Sequence, residues 1–134
     1  RKGLIIIAAD FSQLEPYVET LGAKELAPAL KTWPGPATWL FPASKYTPEW
    51  VRGKHDSIAV RVTAHPVASA LCRAYGGAIV STSANRAGQS PAMSGTQVRL
   101  RFGMQVDAIV SGALGGLDKP TQIRDLRSGT LLRP

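Results

Sequence analysis

Cysteine occurs once in the 134 residues, at position 72, so no internal disulfide can form and no multi-cysteine zinc site is available. Cys72 lies between Leu71 and Arg73 in a helical pattern, which reads as a buried structural thiol rather than a nucleophile. The two histidines, His55 and His65, have no partner at metal-ligand spacing, so the expectation is no bound metal. No apolar run approaches the roughly 20 residues that span a bilayer. The opening run Leu4 to Ala9 is too short and too β-branched for a signal peptide, so a soluble, cytoplasmic protein with no membrane contact is expected. Trp33, Trp39 and Trp50 are far apart and read as core or rim packing, not as a base-stacking platform.

Acidic residues are also scarce, 9 against 16 Lys and Arg, for a formal net charge of +7. The imbalance is confined to the second part of the chain. Residues 1–50 hold five basic and five acidic side chains, whereas residues 51–134 hold eleven and four. Such a surface attracts polyanions, a nucleoside triphosphate or an RNA among them. The basic residues stand singly, which argues against a disordered nucleic-acid tail.

Strand and helix signals alternate along the chain, which predicts an α/β or α+β sandwich in a single domain over residues 1–134. Strands are expected at Gly3 to Ala9, Ala37 to Phe41, Ser57 to Thr63, Ala78 to Ser81, Ala108 to Val110, Thr121 to Leu126 and Thr130 to Arg133. Ser12 and Glu15 form a capping-box pattern that predicts a helix to Leu21. Further helices are expected over Lys24 to Thr32, from Pro66 to Tyr75 with Val67, Leu71 and Ala74 inward, and from Ser94 to Phe102. Trp33-Pro34-Gly35-Pro36 stops one helix and Gly76-Gly77 another. His65 suits a cap for the helix that begins at Pro66.

The strand Ser57 to Thr63 alternates, with Ile58, Val60 and Val62 on one face and Ser57, Ala59, Arg61 and Thr63 on the other. A guanidinium on a rigid strand can hold a carboxylate or phosphate through two parallel hydrogen bonds, although Arg61, Arg124 and Arg133 can equally be surface arginines on an exposed sheet face. Ser81-Thr82-Ser83-Ala84-Asn85 places three hydroxyls and an amide at the end of an apolar run. Ligands in open α/β sheets sit at such strand ends, but the same residue types also serve turns and caps.

Six motifs in order resemble those of the YrdC/TsaC-type threonylcarbamoyl-AMP synthases: Lys2-Gly3-Leu4; Trp33-Pro34-Gly35-Pro36-Ala37-Thr38; Ser57 to Val62; Ser81 to Asn85 with Gly88; Gly115-Gly116 ahead of Ile123-Arg124-Asp125; and Leu132-Arg133-Pro134. The resemblance implies a twisted open mixed sheet with flanking helices around a basic cleft. It implies a reaction in which ATP, L-threonine and bicarbonate give threonylcarbamoyl-AMP and pyrophosphate, feeding proteins that modify tRNA, with Mg²⁺ accompanying ATP and no tightly bound metal.

By the same resemblance Arg61, Ser83 and Thr121 would bind threonine, and Ser57, Asn85, Arg133, Lys2 and Ser81 would bind ATP, with no side-chain nucleophile assigned. Two positions depart from the family pattern: Gln122 follows Thr121 where the family reads Pro-Ser-Thr, and Met93 stands where a hydroxyl is frequent. The family's Pro-Thr-Glu-Thr-like motif and Lys-x-Arg pair are also absent. The chain therefore reads as the carboxyl-side portion of a synthase, expected to be nearly inactive alone. A non-catalytic double-stranded RNA-binding or ribosome-maturation module is the alternative from a different class.

Overall fold

The computed structural model describes residues 4–52, 56–81 and 122–133. By contacts the chain divides into two units, Arg1–Ser81 with Thr121–Pro134, and Thr82–Pro120; all the described residues belong to the first. Its strands form where β-branched and aromatic residues cluster: β1 Ile5–Ala8, β2 Thr38–Pro42, β3 Ser57–Val62, β4 Ile79–Ser81, β5 Ile123–Asp125 and β6 Leu131–Arg133. They join in one sheet of order β4-β1-β3-β2-β5-β6. β1 runs parallel to β3 and β2 parallel to β5, while β1/β4, β2/β3 and β5/β6 are antiparallel. The expected open mixed sheet with flanking helices is what forms; the expected helix Ser94 to Phe102 and strand Ala108 to Val110 lie outside the described residues.

Register separates the two faces. Ile6 pairs with Val60 and Val60 with Trp39, and this row lies in the main core with Ala8, Phe41, Ile58 and Val62. Leu14, Val18 and Ala29 cover it, and Phe41 is fully enclosed, stacked on Trp33 at 5.8 Å between ring centroids. Each large apolar side chain so buried contributes about 1.5–3 kcal/mol.

The segment expected as a helix over Ser12 to Leu21 instead forms two 3-10 turns, Phe11–Gln13 and Glu15–Tyr17. Pro16 has no N–H to give an α-helical ladder, and the bonds that do form, Leu14 N–H to Phe11 O and Tyr17 N–H to Leu14 O at 2.9 Å each, span three residues. Asp10, not Ser12, is the cap, accepting from the Ser12 N–H at 2.9 Å and from the Ser12 hydroxyl. Val18 then turns extended and bridges Ala43.

Helix α1 spans Ala23–Leu30, where the Gly22 N–H donates to Glu25 Oε1 at 3.3 Å. The Thr32 hydroxyl donates to the Ala29 carbonyl at 2.7 Å as the chain leaves the helix. Helix α2 spans Pro66–Tyr75, capped by His65, whose Nδ1 accepts from the Ala68 N–H at 3.4 Å, and ended by Gly76 at φ 83°. The inward face of α2 is not the expected one. Ser69 and Cys72 are buried while Leu71 is 42% exposed and Ala74 lies outside. Small side chains let α2 approach β1 closely: Cys72 Sγ donates to the Ile7 carbonyl at 3.6 Å, and Gln13 Nε2 to the Cys72 carbonyl at 3.2 Å.

Candidate functional site

On β3 the residues between the core positions point the other way, so Ser57, Ala59 and Arg61 share the face opposite the main core. Parallel pairing sets Ile5 beside Ala59 and Ile7 beside Arg61. Antiparallel pairing sets Leu40 beside Ala59 and Pro42 beside Ser57. On the other side of β1, Ile5 pairs with Ser81. Three residues from distant parts of the sequence, Ser57, Arg61 and Ser81, are thereby gathered around Ala59 on one sheet face.

Accessibility across this face is graded. Ile5, Leu40, Ala59, Arg61 and Ser81 are half-buried, whereas Ser57 and Thr38 are 4% and 1% exposed. Ser57 thus presents little surface, and Arg61 is the described cation at the centre of the face. A half-buried guanidinium on a hydrogen-bonded central strand is held in place and only partly solvated, which suits carboxylate or phosphate capture.

The remaining assigned residues divide in two. Arg133 is placed by its backbone alone, its Cα paired with Ile123, which pairs in turn with Thr38, so it stands on the edge strand three places from β3. The β5/β6 register shifts between Ile123 and Arg124. Lys2, Ser83, Asn85 and Thr121 lie outside the described residues. Arg124 serves the β5–β6 turn: its Nη1 donates to the Gly129 carbonyl at 3.0 Å, and Asp125 Oδ1 accepts from the Arg127 and Ser128 N–H groups.

Among the described residues no group of three or more His, Cys, Asp or Glu could hold a metal ion. Nor is any helix among them long and apolar enough to cross a membrane. Two surface clefts of about 300 and 380 Å³, one beside Lys24 and Arg127 and the other beside Glu19 and Tyr46, include none of Ser57, Arg61 or Ser81. Trp39 is buried, with Nε1 donating to the Thr32 hydroxyl at 2.9 Å, and Trp33 donates to the Ala37 carbonyl at 2.7 Å, so both are packing residues as expected; Trp50 is 58% exposed. Cys72 is buried as expected, and burial pushes its thiol pKa up.

Sequence reasoning gave no role to Ala59 or Thr38. Both positions carry meaning only through their cross-strand neighbours, which no local pattern names.

The family model Sua5_yciO_yrdC, described as "Telomere recombination", matches residues 1–134. A threonylcarbamoyl-AMP synthase of Halorhodospira halophila is 56% identical over 133 residues, which cover 99% of this chain and 70% of that protein. The crystal structure of P. abyssi Sua5 complexed with L-threonine superposes with a TM-score of 0.88 at 31% identity, covering 99% of this chain and 40% of Sua5. E. coli YciO superposes with a TM-score of 0.84 at 27% identity, covering 98% of this chain and 65% of YciO.

Proposed function

Because the chain belongs to the Sua5/YciO/YrdC family, we propose that it carries the activity of an L-threonylcarbamoyladenylate synthase, a nucleotidyltransferase acting on ATP, L-threonine and bicarbonate. The observation that carries this reading is the gathering of Ser57, Arg61 and Ser81 on one sheet face of a chain 56% identical to a threonylcarbamoyl-AMP synthase. That identity favours the enzyme over the RNA-binding module.

The threonine amine adds to the carbon of CO2, supplied by bicarbonate with loss of water, and gives a carbamate. A carbamate oxygen then attacks the α-phosphorus, forming a new P–O bond as the bond to the bridging oxygen breaks and pyrophosphate leaves. Both partners are anions, so the protein's task is to hold them together and in line. Arg61 holds the threonine carboxylate, with Ser83 and Thr121 beside it. Ser57, Asn85 and Arg133 contact ATP, with Lys2 and Ser81 nearer the phosphates.

Mg²⁺ would accompany the nucleotide as part of the substrate and offset charge on its phosphates. The product passes to proteins that transfer the threonylcarbamoyl group to tRNA, in the cytoplasm. The excess of basic residues in the second part of the chain is available for RNA.

Pyrophosphate release measured with ATP, L-threonine and bicarbonate, each omitted in turn, tests the reading. Release that needs all three is expected, slight from this chain by itself. Release that ignores threonine sinks it, and salt-steep binding of structured RNA without any thermal shift from ATP or threonine supports the binding module instead.

A further inference from the structure

Ser57, Ala59 and Arg61 follow one another at every second residue on one face of β3, and Ser81 belongs to the same cross-strand row as Ala59, reached through Ile5. Two residues of strand rise put Ser57 and Arg61 each about 7 Å from Ala59, and two strand spacings put Ser81 about 9.5 Å away. Ala59 therefore stands midway along one side of a triangle, between Ser57, assigned to ATP, and Arg61, assigned to threonine, with Ser81, assigned to ATP, at the third corner. Its cross-strand neighbours, Ile5 and Leu40, are both large, and Ala59 is the small residue in the row between them. All three are half-buried, so none of them is sealed off from solvent.

We propose that Ala59 is the steric floor of the place where the two substrates meet, its single methyl leaving room for the threonine carbamate to lie against the α-phosphate. The proposal rests on the assignment of Arg61 to threonine and of Ser57 and Ser81 to ATP. Strand side chains stand roughly perpendicular to the sheet, so added carbons at position 59 rise into the space between the substrates. Each substrate can still reach its own anchor. What is lost is their simultaneous occupation, and with it formation of the carbamate–phosphorus bond and departure of pyrophosphate.

The experiment compares Ala59→Ser, Ala59→Val and Ala59→Leu by calorimetry and by pyrophosphate release. Binding is measured for ATP alone, for L-threonine alone, and for L-threonine in the presence of a non-hydrolysable ATP analogue. Affinity for each single substrate is expected to stay within about threefold, while threonine binding beside the analogue and turnover both fall by about tenfold or more in Ala59→Leu. The loss ranks with side-chain volume, smallest for Ser and largest for Leu. If the Leu variant does not fold, Ala59→Val carries the same comparison. Undiminished ternary binding and turnover overturn the proposal, and so does an equal loss of both single-substrate affinities, which marks a general disturbance of the sheet. An Arg61→Gln protein that binds threonine normally instead removes the site assignment beneath it.

Discussion

Arg61 sits beside Ile7 in the parallel β1–β3 ladder, and the Ile7 carbonyl accepts a hydrogen bond from Cys72 Sγ at 3.6 Å. The strand that carries the guanidinium is thus flanked by one whose backbone is tied to α2. A strand so tied is a fixed base for the guanidinium, which favours the carboxylate contact proposed for it.

Replacing Arg61 with Gln removes the charge while keeping a similar length. Charge-assisted hydrogen bonds contribute about 1.5–3 kcal/mol, so the KM for threonine is expected to rise by about 10- to 100-fold, with little change in the KM for ATP. Arg61→Lys is expected to recover only part of the loss, since an ammonium lacks the planar fork. Initial rates at varied threonine and at varied ATP separate the two effects; equal changes in both KM values count against the assignment.

Cys72 is fully enclosed and its thiol pKa is raised above the ordinary 9.0 by burial. In the unfolded chain the thiol ionises first, so above about pH 9 the unfolded state binds fewer protons than the native one and stability falls as pH rises. The contribution is complete below that pH and is lost as pH climbs through the native value. Urea unfolding between pH 7 and 10 is expected to show this decline, and Cys72→Ala to flatten it. Thiol reagents are expected to modify Cys72 only as fast as the protein opens.

Gly35 donates its N–H to the Val62 carbonyl at 3.0 Å, and a Cβ added there would stand 2.5 Å from the Thr32 carbonyl oxygen. Backbone must move to admit even a methyl group, and Val62 lies one residue from Arg61. Gly35→Ala is expected to cost about 1–3 kcal/mol, read as a lower midpoint in thermal or urea unfolding. An unchanged midpoint shows that the turn relaxes freely.

His65→Ala takes away the side-chain acceptor at the start of α2, where Nδ1 meets the Ala68 N–H. A loss of about 0.5–2 kcal/mol is expected, and His65→Asn or His65→Asp should restore much of it, because both supply a short acceptor at the cap. Denaturant midpoints of the three variants decide the matter, and no recovery in either Asn or Asp argues that the imidazole does something else.

Several parts of the fold were legible in sequence for local reasons. The β-branched run from Ile5 to Ile7 and the alternation from Ser57 to Val62 announce β1 and β3; Pro66 and Gly76 mark the two ends of α2. The helix expected after Ser12 does not form, because a capping pattern cannot make up for the N–H missing at Pro16. The inward face of α2 differs from the expected one for another reason. Hydrophobic spacing pointed to Leu71, yet close approach to β1 favours the smaller Ser69 and Cys72.

The sequence by itself determined which residues on β3 oppose the core, because side-chain alternation follows from the pleat of a single strand. It also carried the ordered motifs by which the family is recognised. Only the tertiary structure decided that Ser81 shares a cross-strand row with Ala59 through Ile5, and that Ile5 and Leu40 flank Ala59 on either side. Strand order and register are set by hydrogen bonds between segments far apart in the chain, and no local pattern specifies which segments will be neighbours.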